Sequence, residues 1–339
     1  MRASRTQEAF SVHQSLFSGV RDYYSAKAAG TATEAARLNL ARARQSLYLN
    51  VARTYLDLLA AQWDIEVRIA QLKISRDRVE ELRSRERIGR SRPSEVLAAQ
   101  SQLAQDEAQL QGALGGERVN QHVFKFITGV QEDMTPLHVR LPSAPDIDVF
   151  LREAAERPDI AARRKDLETA SALVRSQGGQ RCPTLAADGN YYVKRPAASS
   201  SIKWDATLTL QVPLYAGGQV SAQIDQASAA KRSAELELAL ASRQAETEVR
   251  QAHETLLYSI SMANTLYKAV KLGRENTQAQ MKDYKMGLVT NLDVLNALNS
   301  LLQTRIQHYQ SHVEAFWSSV RLSVAAGGPD AVPAVENKK

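Results

Sequence analysis

The chain has 339 residues, of which 44% are hydrophobic and 24% charged, a composition typical of an ordered protein rather than a disordered one. It contains 43 basic and 37 acidic residues, and because both signs are mixed along the chain, solvated helical surfaces are favoured over a nucleic-acid patch. The single cysteine, Cys182, excludes an internal disulfide framework. The sequence contains no run of about 18 apolar residues, so no transmembrane helix is predicted. Residues 1–14 also lack the apolar core of a secretory signal.

Three segments alternate between apolar and polar residues, which is the pattern of a β-strand with two different faces. They cover residues 8–16, 185–194 and 204–214, with a polar loop between the last two. In the third segment, apolar residues at even positions from Trp204 to Leu214 face one way and polar residues face the other. Strands that are apolar outside and polar inside suit a water-filled membrane barrel. A half-buried sheet in a soluble domain is the alternative.

Small residues follow the first and third segments and predict sharp strand-to-helix corners at Gly19 and at Gly217 and Gly218. Long helices are predicted next, over 22–88 and 220–286, because apolar residues recur there in steps of three and four. About 67 residues at ~1.5 Å each would give a helix of roughly 100 Å. A compact domain needs no helix of that length, whereas a spacer or a tunnel wall does.

Each long helix is predicted to end at a glycine and to turn back into a second helix, which makes a helical hairpin with a tight tip. The tip residues are Gly89 and Ser91 in the first hairpin and Gly287, Leu288, Val289 and Asp293 in the second. Glycine just past a helix is a C-cap signal, and the Ser, Thr or Asn that follows is an N-cap signal. The first tip has Arg90 and Arg92 where the second has Leu288 and Thr290.

The two hairpins belong to two copies of one unit, related by an ungapped offset of 198 residues. Residues 87–100, RIGRSRPSEVLAAQ, match residues 285–298, KMGLVTNLDVLNAL, and Gly89 coincides with Gly287. Chance similarity between alanine-rich helices would scatter Ala and Leu matches, but it would not place both glycine corners in one frame. We therefore predict duplication of a unit of about 100 residues.

The predicted organisation is a duplicated, mainly α-helical chain. Its predicted segments are copy one at 1–127, a connector at 128–158, copy two at 159–326 and a tail at 327–339. The connector holds four of the ten prolines and a short helix at 148–156. Copy two starts with a helix over 159–178 and continues with the strand pair 185–214. The Gly/Pro/Lys tail is expected to be disordered.

The sequence contains no Gly-rich phosphate loop and no GxSxG, HExxH or CxxC motif, so we predict no enzyme activity, no cofactor and no metal site. His308 and His312 have the spacing of two metal ligands on one helix. Two partly exposed histidines are favoured instead, because the sequence places no third ligand. Five arginines between residues 83 and 92 lack interleaved aromatic residues, so a solvated tip or a contact with an acidic partner is favoured over nucleic-acid binding.

The duplicated order of strand, long helix and glycine-tipped hairpin, with a connector between the copies, resembles the TolC-like family of outer-membrane efflux proteins. The segments that carry the resemblance are 156–177 (ERPDIAARRKDLETASALVRSQ), 181–192 (RCPTLAADGNYY), 210–220 (LQVPLYAGGQV), 284–297 (YKMGLVTNLDVLNA) and 316–328 (FWSSVRLSVAAGG). Their order is specific, and the resemblance covers nearly the whole chain. It implies an α-barrel of long antiparallel coiled-coil hairpins, capped by short membrane strands that form a β-barrel in a trimer.

The resemblance also implies a function, which is a passive outer-membrane exit duct of a tripartite efflux or type I secretion system. The implied partners are the other chains of a homotrimer, a periplasmic adaptor, an inner-membrane pump and outer-membrane lipid, with no nucleic acid. The hairpin tips are the implied adaptor-docking residues. The chain would lie in the outer membrane and extend into the periplasm, although the sequence as written carries no signal peptide.

This chain departs from the family pattern, which implies a helix and a strand upstream of Phe10, so we interpret it as N-terminally truncated. Strand 8–16 and the pair 185–214 are then expected as separate or loosely paired ribbons, and the chain is not expected to close a pore by itself. The arginines of the first tip leave adaptor docking there open. The alternative function is a non-catalytic coiled-coil scaffold or a periplasmic adaptor-like protein, but a scaffold has no use for the alternating strands.

Overall fold

The computed structural model describes residues 7–130, 141–143, 145–194 and 201–328. The elements are β1 (Glu8–Phe17), α1 (Arg21–Arg87), α2 (Pro93–Thr128), α3 (Ile147–Ala154), α4 (Pro158–Gly178), a 3₁₀ turn (Gly179–Arg181), β2 (Thr184–Lys194), β3 (Trp204–Gln211), α5 (Gln219–Lys285) and α6 (Asn291–Ala325). The chain divides into a sheet unit, Met1–Arg42 with Pro158–Gln244, and a tip unit, Ala43–Arg157 with Ala245–Lys339. The mainly α-helical fold class is confirmed.

The two long helices have identical lengths of 67 residues. Helix boundaries that differ by 198 are Arg21 and Gln219, Arg87 and Lys285, and Pro93 and Asn291. The predicted helices 22–88 and 220–286 are confirmed to within one residue, and the duplication extends to the helix boundaries. No proline interrupts either long helix, which keeps the backbone hydrogen bonds continuous. Among the described residues, no helix is long and apolar enough to cross a membrane.

Left-handed backbone occurs at the same points of both copies. Glycines with positive φ form the pairs Gly19 and Gly217, Gly89 and Gly287, and Gly129 and Gly327. One further pair breaks the rule, because Val20 has a φ of 64° where copy two has Gly218 at 84°. A β-branched residue in this region costs about 1–2 kcal/mol, which glycine avoids. The corner geometry is therefore retained in copy one even where the residue disfavours it.

The three strands form one antiparallel sheet in the order β1-β2-β3. The first apolar row across the sheet is formed by Phe10, Tyr191 and Trp204. On the other face, Ser11 Oγ donates to Asn190 Oδ1 at 2.7 Å, and Asn190 Nδ2 donates to Asp205 Oδ1 at 2.9 Å. The register therefore confirms the two predicted faces, one apolar and one polar.

The expectation that β1 would be separate from the β2-β3 pair, or only loosely paired with it, is wrong. β1 pairs with β2 over its whole length, with small irregularities near both ends. His13 and Asp188 face each other across this pairing, with Nδ1 2.6 Å from Oδ1. An unpaired strand leaves backbone donors and acceptors without partners, and β2 supplies them. β3 ends at Gln211 rather than at the predicted residue 214.

The short helices also follow the predictions closely. The predicted helix 148–156 is α3, and the predicted helix 159–178 is α4, which begins one residue earlier. Four groups of predicted positions lie outside the described residues: 1–6 of copy one, 131–140 and 144 of the connector, 195–200 of the loop before β3, and 329–339 of the tail.

The connector is anchored in the tip unit by a buried cation. Arg157 is 2% exposed, and its Nη1 donates to Glu248 Oε2 at 2.7 Å and to the carbonyl oxygen of Ala325 at 3.2 Å. Helix α3 packs beside it on an apolar cluster that contains Val249, Leu256 and Leu322. Burying an arginine is tolerated only when its charge and donors have partners, and these contacts provide them.

The corner at Gly19 is closed by a second backbone segment. A Cβ on Gly19 would lie 2.4 Å from the carbonyl oxygen of Gly179 and 2.9 Å from Cβ of Cys182. A Cβ on Gly179 would in turn lie 2.2 Å from the carbonyl oxygen of Gly19. The two glycines therefore let the start of α1 and the end of α4 approach at backbone distance, within the sheet unit.

We predict that Gly19→Ala destabilises the chain by about 3 kcal/mol, whereas Gly217→Ala costs about 1 kcal/mol. Both glycines have positive φ, so both variants carry the backbone penalty. Only Gly19 is also crowded, since a Cβ on Gly217 meets no atom within 4 Å. Thermal and urea unfolding followed by circular dichroism measure both losses. Equal losses for the two variants would show that the close approach is absent.

Candidate functional site

The tip of the second hairpin is a short, rigid turn. Gly287 adopts a φ of 79°, and the backbone N–H of Leu288 donates to the carbonyl oxygen of Asp283 at 2.9 Å. Thr290 caps α6 in a reciprocal capping box with Asp293, whose Oδ2 accepts from the Thr290 backbone N–H at 2.8 Å. The hydroxyl of Thr290 also donates to that carboxylate, and this bond holds the pKa of Asp293 below its usual value. Asp293 is thus a structural cap.

The second tip presents an apolar surface. Leu288 is 70% exposed, and Met286 and Leu292 are also exposed beside it. Val289, in contrast, is half buried and packs against the core beneath the tip. Of the predicted docking residues in this hairpin, Leu288 is therefore available at the surface, while Val289 and Asp293 support the turn.

The first tip repeats the turn with a different cap. The backbone N–H of Arg90 donates to the carbonyl oxygen of Arg85 at 2.8 Å, which matches the Leu288 bond in the second tip. Arg92 stands at the N-cap of α2 and makes no side-chain capping bond. Ser91 Oγ instead donates to Glu95 Oε2 at 2.6 Å. The predicted residues Gly89 and Ser91 thus shape this turn, and arginines occupy its surface.

A polar cluster joins the two tips to each other. Tyr284 Oη donates to Glu95 Oε2 at 3.2 Å, and the bond from Ser91, together with this one, holds the pKa of the Glu95 carboxyl below its usual value. Arg78 is only 4% exposed, and its Nη2 donates to Asn291 Oδ1 at 2.8 Å. Its guanidinium carbon also lies 4.0 Å from the centre of the Tyr284 ring. Burial raises the pKa of the Tyr284 hydroxyl, which keeps it a proton donor.

Apolar residues from α1, α2, α5 and α6 pack beneath this cluster. They are Val79, Leu82, Val96, Ala99, Tyr284, Val294 and Leu298. The predicted tip glycines therefore lie in one packed body rather than in two independent hairpins.

Sequence reasoning identified the tip glycines but missed the residues that join the tips. Tyr284, Glu95 and Arg78 are ordinary residues in a helical sequence, and Asn291 carries only an N-cap signal. One signal was present, since Glu95 corresponds to Asp293 at the offset of 198. The carboxylate of Asp293 caps its own helix, whereas that of Glu95 reaches the neighbouring hairpin.

The other predicted positions form no chemical site. The corners Gly19, Gly217 and Gly218 belong to the sheet unit and shape its turns. The rings of His308 and His312 meet edge to face, with centroids 4.9 Å apart and planes at 76°. Within the described residues no cluster of three metal-ligating side chains occurs. The arrangement at the tips can present a surface to a partner.

Residues 152–328, just over half of the chain, match the family described as outer membrane efflux protein. The chain belongs to this family. The sequence is 24% identical over 327 residues to the outer membrane efflux protein BepC of Brucella suis, covering 93% of this chain and 71% of that protein. It is 24% identical over 305 residues to the outer membrane protein TolC of Vibrio cholerae, covering 85% of this chain and 69% of TolC.

Solved structures show the same fold. The outer membrane protein VceC of Vibrio cholerae superposes with a TM-score of 0.82 at 20% identity, covering 96% of this chain and 87% of VceC. The outer membrane channel MtrE of Neisseria gonorrhoeae gives 0.78 at 18% identity, covering 96% of this chain and 80% of MtrE. The resemblance to TolC-like proteins is confirmed. The family consists of channel and transport proteins rather than enzymes.

We predict that Tyr284 and Glu95 are energetically coupled by about 1 kcal/mol, because their hydrogen bond has a charged acceptor. The measurement is a double-mutant cycle with Tyr284→Phe and Glu95→Ala, followed by urea unfolding. Each single variant should destabilise the chain, and the double variant should lose less than the sum of the two. Strictly additive losses would contradict the bond between the tips.

We also predict that the chain loses stability as the pH falls below about 6.5. Burial lowers the pKa of both His308 and His312, and the charge of His308 lowers that of His312 further. A depressed histidine pKa means that the unfolded chain binds protons more readily. The contribution is therefore complete above the unfolded value and is lost as the pH falls towards the folded values.

The check compares melting temperatures at about pH 7.5 and about pH 5.5. The double variant His308→Gln, His312→Gln should lose less on acidification than the parent chain. His122→Gln, at an exposed histidine, serves as the matched control. An unchanged acid response in the double variant would contradict the assignment.

Proposed function

We propose that this chain is a protomer of a trimeric exit duct in the outer membrane, through which solutes leave the cell without bond chemistry. The duct belongs to a tripartite efflux or type I secretion system, in which an inner-membrane pump supplies the energy and a periplasmic adaptor joins pump and duct. The sheet contributes to a membrane β-barrel, the long helices form the periplasmic tunnel, and the tips dock the adaptor. The observation that carries this proposal is the two-faced sheet in a member of the outer membrane efflux protein family.

The apolar face of the sheet supports contact with lipid. Phe10, Val12, Trp204 and Leu208 each expose about two thirds or more of their surface. Contiguous apolar surface of this kind marks a membrane or protein contact rather than a solvated face. Trp204, at the end of β3, suits the headgroup region, where tryptophan is enriched.

The opposite face supports contact with water. Its side chains are polar and bond to one another across the strands, as in Ser11 to Asn190 and Asn190 to Asp205. A face of this composition is stable next to an aqueous lumen and costly next to hydrocarbon.

The open edges of the sheet support assembly. β1 and β3 each pair on one side only within the described residues. In hydrocarbon every backbone group must be paired, so each edge must meet a further strand. Three strands are also fewer than the eight or so of the smallest membrane barrels. Assembly of several chains around one axis would supply further strands at both edges.

The test is expression of the chain from its native gene in a Gram-negative host that lacks its own exit duct. We expect the chain in the outer-membrane fraction, cross-linked trimers, and restored efflux of a fluorescent dye. Recovery as a monomer in the soluble fraction, with no effect on efflux, would overturn the proposal.

The docking role of the second tip is tested by Gly287→Trp in the same host. A bulky side chain there would block close approach and would strain a residue whose φ is 79°. We expect efflux to be lost while the amount of trimer in the outer membrane stays unchanged. Full efflux with Gly287→Trp would contradict docking through this tip.

A further inference from the structure

The two tips share one backbone geometry and differ in charge. We call residues 83–95 the basic tip and residues 281–293 the apolar tip, which are the same segment in the two copies. The basic tip contains five arginines and two glutamates, a formal charge of +3. The apolar tip contains two lysines and two aspartates, a formal charge of zero. Duplication therefore retained the turn and changed the chemistry that it presents.

Two of the carboxylates around the basic tip, those of Glu95 and Glu81, form contacts within the protein. Glu95 accepts hydrogen bonds from Ser91 and Tyr284, and Glu81, just before the tip, accepts from Arg78 and lies within ion-pair distance of Arg85. Because these two carboxylates already have partners within the protein, they are less available to neutralise the exposed arginines of the tip. The five arginines of the tip also outnumber its two glutamates, Glu86 and Glu95, which leaves the formal charge of +3.

Three arginines of the basic tip, Arg87, Arg90 and Arg92, are exposed. None of them forms a salt bridge with any residue that the structure describes, although Nη2 of Arg87 donates to Ser84 Oγ at 3.1 Å and the charge of Arg92 helps to lower the pKa of the Glu95 carboxyl. The turn that carries them is held by backbone bonds, including Arg90 to Arg85 at 2.8 Å. Guanidinium groups bind carboxylates through paired hydrogen bonds, and the held turn keeps the backbone positions of these arginines close together.

The exposed side chain of Ile88 favours a protein over a nucleic acid as the anionic partner of the basic tip. It is 66% exposed and lies between Arg87 and Arg90 in the sequence, and Leu97 on α2 is exposed as well. An apolar residue within a charged rim is the anatomy of a protein–protein contact. Binding of single-stranded nucleic acid would call for exposed aromatic rings on which bases stack, and residues 83–95 contain no aromatic residue.

We infer that the basic tip docks an acidic protein surface, with Arg87, Arg90 and Arg92 pairing with carboxylates around a small apolar contact at Ile88. The inference rests on the proposed docking role of the tips and names the chemistry of the partner. The two tips of one chain then bind two different kinds of site, one acidic and one apolar. This difference fixes the orientation of the partner, because like charges or an unmatched apolar patch disfavour the swapped arrangement.

The experiment measures binding of the full chain to designed helical-hairpin peptides. One peptide carries glutamates on its exposed tip, and its partner carries glutamine at the same positions. We expect binding to the glutamate peptide only, and a loss of about tenfold or more in affinity when NaCl rises from about 50 mM to about 300 mM.

The deciding variant is Arg90→Leu with Arg92→Thr, which installs the residues that the apolar tip has at these positions. We expect this variant to lose binding about tenfold or more while its melting temperature is retained. The control is Arg37→Leu with Arg44→Thr, which removes the same charge from exposed helix positions and should bind normally. Equal losses of affinity in both variants would show that binding depends only on the net charge of the chain, and this would overturn the inference.

Two further probes separate the alternative partners. Vesicles containing anionic lipid and a single-stranded oligonucleotide are tested under the same conditions, and tighter binding to either than to the glutamate peptide would overturn the inference. The outcome is independent of export. Restored efflux without peptide binding would contradict only the inference of an acidic partner. Peptide binding without efflux or trimers would contradict only the proposed exit duct.

Discussion

The structure depends on left-handed glycines at corresponding positions of two copies. A helix of 67 residues without proline has no internal reason to stop, and each one ends where glycine takes a positive φ, at Gly89 and at Gly287. An L-residue with a side chain resists this conformation, so the chain reverses where glycine permits it. The lengths of the two long helices, and with them the positions of the two hairpin tips, follow from where these glycines stand.

The sheet is organised by a second constraint, which is the period of two along each strand. Because the offset between the copies is even, the apolar faces of the equivalent strands β1 and β3 remain in phase. β2 lies between them and brings its own apolar residues to the same side. One face can therefore meet lipid while the other keeps its hydrogen-bonded polar side chains next to water, which is what a membrane barrel requires.

The two copies are equal in backbone and unequal in side chains. Val20 keeps a left-handed corner that Gly218 adopts without strain, and Arg92 holds the N-cap position that Thr290 fills with a capping box. In both places the backbone keeps the same conformation although the side chains of the two copies differ. At the tips they give one molecule two distinct surfaces, and a partner that meets both must distinguish them.

By itself, the sequence determined the elements of this protein, their order and their duplication. Strand alternation, helical spacing and the glycine corners are local patterns, and the structure reproduces their boundaries to within a few residues. Only the tertiary structure decided which segments touch. Examples are the pairing of β1 with β2, the burial of Arg157 and the bond from Tyr284 to Glu95, which are 189 residues apart. No local pattern in the sequence indicates these contacts. The physical reason is that a local pattern records the conformation of its own segment, whereas a hydrogen bond between distant segments depends on how the packed helices and strands bring them together.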